Sequence, residues 1–206
     1  SISRRARRRN DARVRASSVS LALTQFLANF ADQAVVLPLA FAIFCALAAL
    51  SWTRGALAWG AAIGATFALM LALKLAAFAC GPPALRSPSG HTAAAAIVLG
   101  GLAVVFGRGA RGRAVLLAAA AGATLIGLSR LALGVHTAPE VALGGLVGIA
   151  GALALSRLAG PPPGRLRLGW LAAVAVSVVV LFHGWHLDAE PRIHLAAYAL
   201  HLCRGR

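Results

Sequence analysis

Apolar residues run along this chain in long unbroken blocks, not in the alternating or one-faced patterns of a soluble strand or helix. Six blocks stand out, at about 34–51, 56–79, 91–107, 114–133, 138–158 and 168–185. Each is close to the ~20 residues that an α-helix needs to cross a bilayer. A segment in lipid must satisfy its own backbone hydrogen bonds, so the blocks predict helices. Short dividers separate them: Trp52-Thr53-Arg54-Gly55, Gly81-Pro82-Pro83, Gly107 to Arg113, and Gly160 to Gly164. Connections this short make neighbouring spans antiparallel. The expectation is an all-α, polytopic transmembrane helix bundle of about six spans, one domain over 17–187. Residues 17–32 are only moderately apolar, with Thr24, Gln25 and Asn29 among them. They read as an extra N-terminal interfacial helix or a marginal span, without a convincing signal-peptide cleavage site. Gly144 and Gly148 form a small-xxx-small pair suited to close helix packing. The tail, 188–206, reads as interfacial.

Composition agrees with the pattern. Of 206 residues, 60% are hydrophobic and 12% charged. Disordered chains and basic nucleic-acid binders are far more polar, which argues against a nucleic-acid partner. The net charge of +15 comes from arginine, since Lys74 is the only lysine. Seven arginines fall within residues 1–15. That segment, 1–16, reads as a disordered basic arm for anionic lipid head groups. Cys45, Cys80 and Cys203 are too scattered for a disulfide framework or a zinc site. Cys45 and Cys80 are most simply small core residues. His183 and His186 are more often interface residues than a metal pair.

Charge placement changes the picture. Glu140 is the only acid between residues 33 and 187. Ionisable groups at membrane depth are costly and default to functional candidates. Folding the middle spans antiparallel sends the polar positions to one end of the bundle: Lys74, Arg86, Ser87, Ser89, His91, Ser129, Arg130, His136 and Glu140. Lysine and arginine bind phosphate oxygens through charge-assisted hydrogen bonds. The free N–H groups where Ser89-Gly90-His91 opens a helix favour an anion too. Two histidines allow one to act as nucleophile and the other as acid. Glu140, four residues beyond His136, lies on the same helical face and can orient its imidazole. Thr137-x-x-Glu140 also fits a capping box, so Glu140 caps, orients, or does both. No carboxylate cluster suits Mg²⁺ or Ca²⁺, so the expected chemistry uses neither metal nor cofactor.

These residues carry a resemblance. Lys74, Pro88-Ser89-Gly90-His91 and Ser129-Arg130-x5-His136-x3-Glu140 resemble the three-part signature of the type 2 phosphatidic acid phosphatase superfamily, K-x6-R-P, P-S-G-H and S-R-x5-H-x3-D. The matching region covers about residues 70–145, and Asp32 to Pro38 is also similar to bacterial members. The resemblance implies that His136 attacks phosphorus to form a phosphohistidine. It implies that His91 protonates the leaving oxygen and then activates water. Lys74, Ser89, the Gly90 N–H and Arg130 would hold the phosphoryl oxygens, and Glu140 would orient His136. Two positions depart from the signature. Gly81 stands where its arginine is expected, with Arg86 nearby as a substitute, and Glu140 stands for its aspartate. The extra methylene works against a tight orienting bond.

The implied function is metal-independent hydrolysis of the phosphate or diphosphate of a membrane lipid: phosphatidate, phosphatidylglycerol phosphate, a polyprenyl phosphate or diphosphate, or a lipid A phosphate. The alternative is a retired phosphatase that binds a phosphorylated lipid or serves as an accessory subunit of a membrane complex. Loops opposite the site carry Arg54, Arg108, Arg111, Arg113, Arg157, Arg165 and Arg167. Positive loops favour the cytoplasm, which points to a multi-pass protein of a bacterial inner membrane with its site facing the periplasm. The arm at 1–15 disagrees unless 17–32 cross the membrane.

Overall fold

The computed structural model describes residues 20–80, 87–108, 112–164, 166–187 and 189–199. The expected basic arm, the Gly81-Pro82 step and Arg86 lie outside these residues. Eight α-helices and no strands occur among those described: α1 (20–29), α2 (Gln33–Ala49), α3 (Thr53–Cys80), α4 (Gly90–Phe106), α5 (Arg113–Ala132), α6 (Ala138–Leu158), α7 (Leu168–Phe182) and α8 (Ala189–Ala199). The protein is an all-α membrane bundle. The six expected blocks correspond to α2 through α7, with ends within about three residues.

Four stretches are long and apolar enough to cross a membrane: Ser20–Ala49, Thr53–Phe78, Arg113–Ala132 and Ala138–Leu158. Helices α4 and α7 are shorter but equally apolar. Hydropathy runs straight through residues 20–49, yet the helix breaks at residues 30–32, where the Asp32 carboxylate caps α2 by accepting from the Ala34 N–H at 2.8 Å. Phe41, Leu117, Leu128, Leu146, Val180 and Leu181 each expose more than half of their surface. An apolar exterior of this kind has no place in water and suits acyl chains. Cys45 joins this outer face instead of the expected core, because its place in α2 points away from the neighbouring helices.

The core lies toward the end of the bundle away from the polar cluster. Trp59, Ile43, Leu47, Ile97, Val104, Val115, Leu155 and Leu171 are fully enclosed there. The tryptophans still satisfy their N–H groups, Trp52 to the Ala159 carbonyl at 3.2 Å and Trp59 to the Ala40 carbonyl at 2.9 Å. Arg54 donates to the Leu158 carbonyl at 2.9 Å, where the last carbonyls of α6 lack helical partners.

Helices α4, α5 and α6 pack most closely, along a seam of small residues. A Cβ on Gly144 would collide with the Ser89 carbonyl, and one on Gly148 with that of Ala93. One on Gly122 would lie 2.6 Å from the Ala95 carbonyl. The expected small-xxx-small contact is therefore real. It presses α6 onto the backbone that opens α4, and this fixes the site.

Candidate functional site

Antiparallel packing brings the C-terminal ends of α3, α5 and α7 together with the N-terminal ends of α2, α4, α6 and α8. A cavity of about 430 Å³ opens there. Lys74, Gly90, His91, Arg130 and His136 line it, joined by Asp32 and by Glu190 of α8. Helix direction therefore gathers most of the predicted cluster at one place.

Glu140 is the hub. Its Oε2 accepts from the Thr137 N–H at 2.9 Å, completing the capping box at the start of α6, and faces His136 Nδ1 at 3.1 Å. Its Oε1 accepts from the Ser87 N–H at 2.8 Å. The Glu140 carbonyl accepts from the Ser89 N–H at 3.0 Å. Capping and orienting are thus both present in one carboxylate. The additional methylene has not cost the imidazole contact, and the second oxygen holds the loop that precedes α4.

The His136 and Glu140 side chains are 5% and 6% exposed. Burial pushes the His136 pKa below the usual imidazole value, and the nearby Lys74 and Arg130 charges add to this. The hydrogen bond to Glu140 opposes the shift without cancelling it. A neutral ring that donates from Nδ1 to Glu140 leaves the lone pair on Nε2.

Arg130 occupies the last turn of α5, and its Nε is buried with no hydrogen-bond partner among the described residues. A buried unsatisfied donor costs roughly 1–3 kcal/mol, a cost that a bound anion would remove. Lys74 is buried and donates to Ser87 Oγ at 2.7 Å and to Glu190 Oε2 at 2.8 Å. His91, in the first turn of α4, places Nε2 3.7 Å from Asp32 Oδ2. Asp32 Oδ1 also accepts from the Leu187 N–H at 3.2 Å.

Ser89 is placed differently from the expectation of a phosphate contact. It is fully buried, caps α4 and accepts from Thr92 Oγ1 at 2.9 Å. It is not among the residues lining the cavity. Ser129 turns back onto the Ile126 carbonyl at 2.7 Å. His183 and His186 do not converge as a metal pair: His183 meets the Phe26 carbonyl at 3.2 Å, and His186 the Gly184 carbonyl at 2.8 Å. Among the described residues no three His, Cys, Asp or Glu side chains are grouped to hold a metal ion.

A sequence model of the PAP2 superfamily matches residues 74–161, from the cavity lysine to just beyond α6. Over these residues the chain is similar to that superfamily. No curated protein and no solved structure matches it. The matched region includes Lys74, Gly90, His91, Arg130, His136 and Glu140. It stops short of Glu190 and begins after Asp32, so both acids reach the cavity from outside the matched region. Sequence reasoning missed them in the site. Asp32 carried a faint signal, a polar residue at the start of an apolar block. Glu190 carried none, lying 116 positions from Lys74.

Proposed function

We propose that this protein removes the phosphate, or a phosphate of the diphosphate, from a membrane lipid through a phosphohistidine on His136. The observation that carries the reading is the His136–Glu140 pair at 3.1 Å on the wall of a cavity that also presents Lys74 and the unsatisfied Arg130 Nε. Simple anion binding needs cations. It does not need a buried imidazole held by a carboxylate.

In this mechanism His136 Nε2 attacks phosphorus while Lys74, Arg130 and the Gly90 N–H take up the charge on the phosphoryl oxygens. The bond to the lipid oxygen breaks, and His91 gives that oxygen its proton. His91, now neutral and facing Asp32, then takes a proton from water. The hydroxide attacks phosphorus, the P–N bond breaks, and free phosphate and neutral His136 are regenerated. No step calls for a metal.

Two features favour a lipid. The site lies at the end of a bundle whose exterior is apolar. A second cavity of about 370 Å³, lined by Leu37, Phe67, Ala68, Met70 and Leu71, shares Gln33, Lys74, Gly90 and Ile193 with the first. An alkyl chain lying there would place its phosphate at Lys74. Phosphatidate, phosphatidylglycerol phosphate, polyprenyl mono- or diphosphate and lipid A phosphate all have this form. Arg54, Arg108, Arg113, Arg157 and Arg167 mark the opposite ends of α3 to α7, which supports a cytoplasmic face there and a periplasmic site.

Phosphate release from a panel of lipid mono- and diphosphates by detergent-solubilised protein, with EDTA present and His136→Ala beside it, tests the reading. Release that the substitution abolishes supports a metal-independent phosphohistidine, and the preferred lipid names the substrate. Gly81, where the family pattern has arginine, favours a second reading: a retired enzyme that binds a phosphorylated lipid or assists a membrane complex. Release no greater than that of His136→Ala on every lipid would select it.

A further inference from the structure

Glu190 stands where an anion belongs. Its Oε2 accepts from Lys74 at 2.8 Å, and its Oε1 accepts from the Ser87 hydroxyl, which itself accepts from Lys74. Burial alone would raise its pKa. The Lys74 charge and the hydrogen bonds from Lys74 and Ser87 outweigh that and hold it below the usual carboxylate range. The Lys74 side chain is 5% exposed and that of Glu190 48%. The lysine is therefore fixed in the bundle, and its partner is reached from solvent.

The helix carrying Glu190 is held lightly. It packs mainly on α3, and after α7 the Leu187 N–H reaches Asp32. Among the described residues the cavity has two cations, Lys74 and Arg130, and three carboxylates in or beside it, Asp32, Glu140 and Glu190. Of the three, Glu190 is the one paired with Lys74. An incoming phosphate must displace that carboxylate from Lys74.

We propose that Glu190 is the specificity-determining residue of the phosphate site, an internal competitor that admits monoester phosphates and diphosphates and turns away phosphodiesters. This rests on the reading of the cavity as a phosphate site. A diester carries one negative charge, as the carboxylate does, and gains nothing electrostatically by replacing a tethered group. A monoester dianion or a diphosphate carries more charge and gains from both Lys74 and Arg130. The consequence matters in a bilayer, where diester lipids surround the site at enormous excess. A bare lysine–arginine pair would be filled by them.

The test measures binding of inorganic phosphate and of dimethyl phosphate, at a pH where the first is largely a dianion, to the full-length protein in detergent. Wild type, Glu190→Gln and Glu190→Ala are compared, with Lys74→Ala as a site control. Wild type is expected to bind phosphate and exclude dimethyl phosphate. Both Glu190 variants should bind phosphate on the order of tenfold more tightly and bind the diester measurably. Amide exchange in 189–199 should quicken when phosphate saturates the wild type, because α8 leaves Lys74.

Unchanged affinities in both folded Glu190 variants, or unchanged exchange in α8 on phosphate binding, would overturn the proposal while leaving the phosphate site intact. Absence of phosphate binding in wild type and variants alike, or binding indifferent to Lys74→Ala, would remove the site reading itself and the selectivity with it.

Discussion

At the scale of single residues the site turns on His136 and the carboxylate that holds it. Because burial lowers the His136 pKa, the imidazole stays neutral to a lower pH than a free histidine. On the proposed mechanism protonation removes the attacking lone pair, so kcat/KM should fall as pH drops, with the midpoint of that limb below the ordinary imidazole value of 6.5. A limb at or above 6.5 in the pH–rate profile would contradict a buried nucleophile. Glu140→Gln keeps the size of the side chain but replaces one acceptor oxygen with a donor. It should lower kcat by about 10²–10⁴-fold, as loss of the orienting acid does in hydrolase triads, with a smaller effect on KM. Glu140→Asp restores the family's own residue, yet this loop is built for the longer arm. The shorter side chain cannot hold Thr137, His136 and Ser87 together, so thermal unfolding should shift to lower temperature. That Lys74, His91, Arg130, His136 and Glu140 would gather at one end of the bundle was legible, because each sits at a helix end whose direction the apolar blocks dictate. Ser89 lies away from the cavity lining for a local reason: a serine before a helix readily caps it.

At the scale of elements, the contact of α6 with α4 sets the geometry. Gly144 and Gly148 let α6 lie against the carbonyls of Ser89 and Ala93, and backbone cannot give way as a flexible side chain would. Gly148→Leu should therefore destabilise the bundle by about 2 kcal/mol or more, read as a lowered melting temperature in detergent. Gly64, whose added Cβ would meet nothing within 4 Å, should accept alanine without such a penalty. The seam was readable because glycines four apart in an apolar helix have few other uses. The break at 30–32 was half readable: the polar residues of 17–32 were visible, but not that Asp32 would cap α2 and also face His91. A carboxylate's second partner comes from the fold, and no periodicity records it.

At the scale of the whole molecule, two cavities share lining residues, and on the lipid reading they divide head-group chemistry from chain recognition. Ala68→Phe would fill the apolar one. On the lipid reading it should raise KM severalfold for a long-chain phosphate while changing little for a short water-soluble phosphate ester. An equal effect on both would place the substrate's chain elsewhere. The places of the apolar helices were legible in the sequence, since bilayer thickness sets helix length. The docking of α8 was not, because an eleven-residue helix with mixed polarity has no strong pattern of its own.

The glycine seam also bears on how this protein meets membranes of different thickness. Helix α4, with 17 residues, is about 25 Å long, shorter than a typical hydrocarbon core. Mismatch of this kind is absorbed by tilt or by local thinning of the lipid, whichever yields more cheaply. Because α4, α5 and α6 are locked backbone to backbone, they tilt as one body and carry His91, Arg130 and His136 with them. Moving the protein between thin and thick bilayers should therefore deform the lipid around it and leave the distances among those three residues nearly constant.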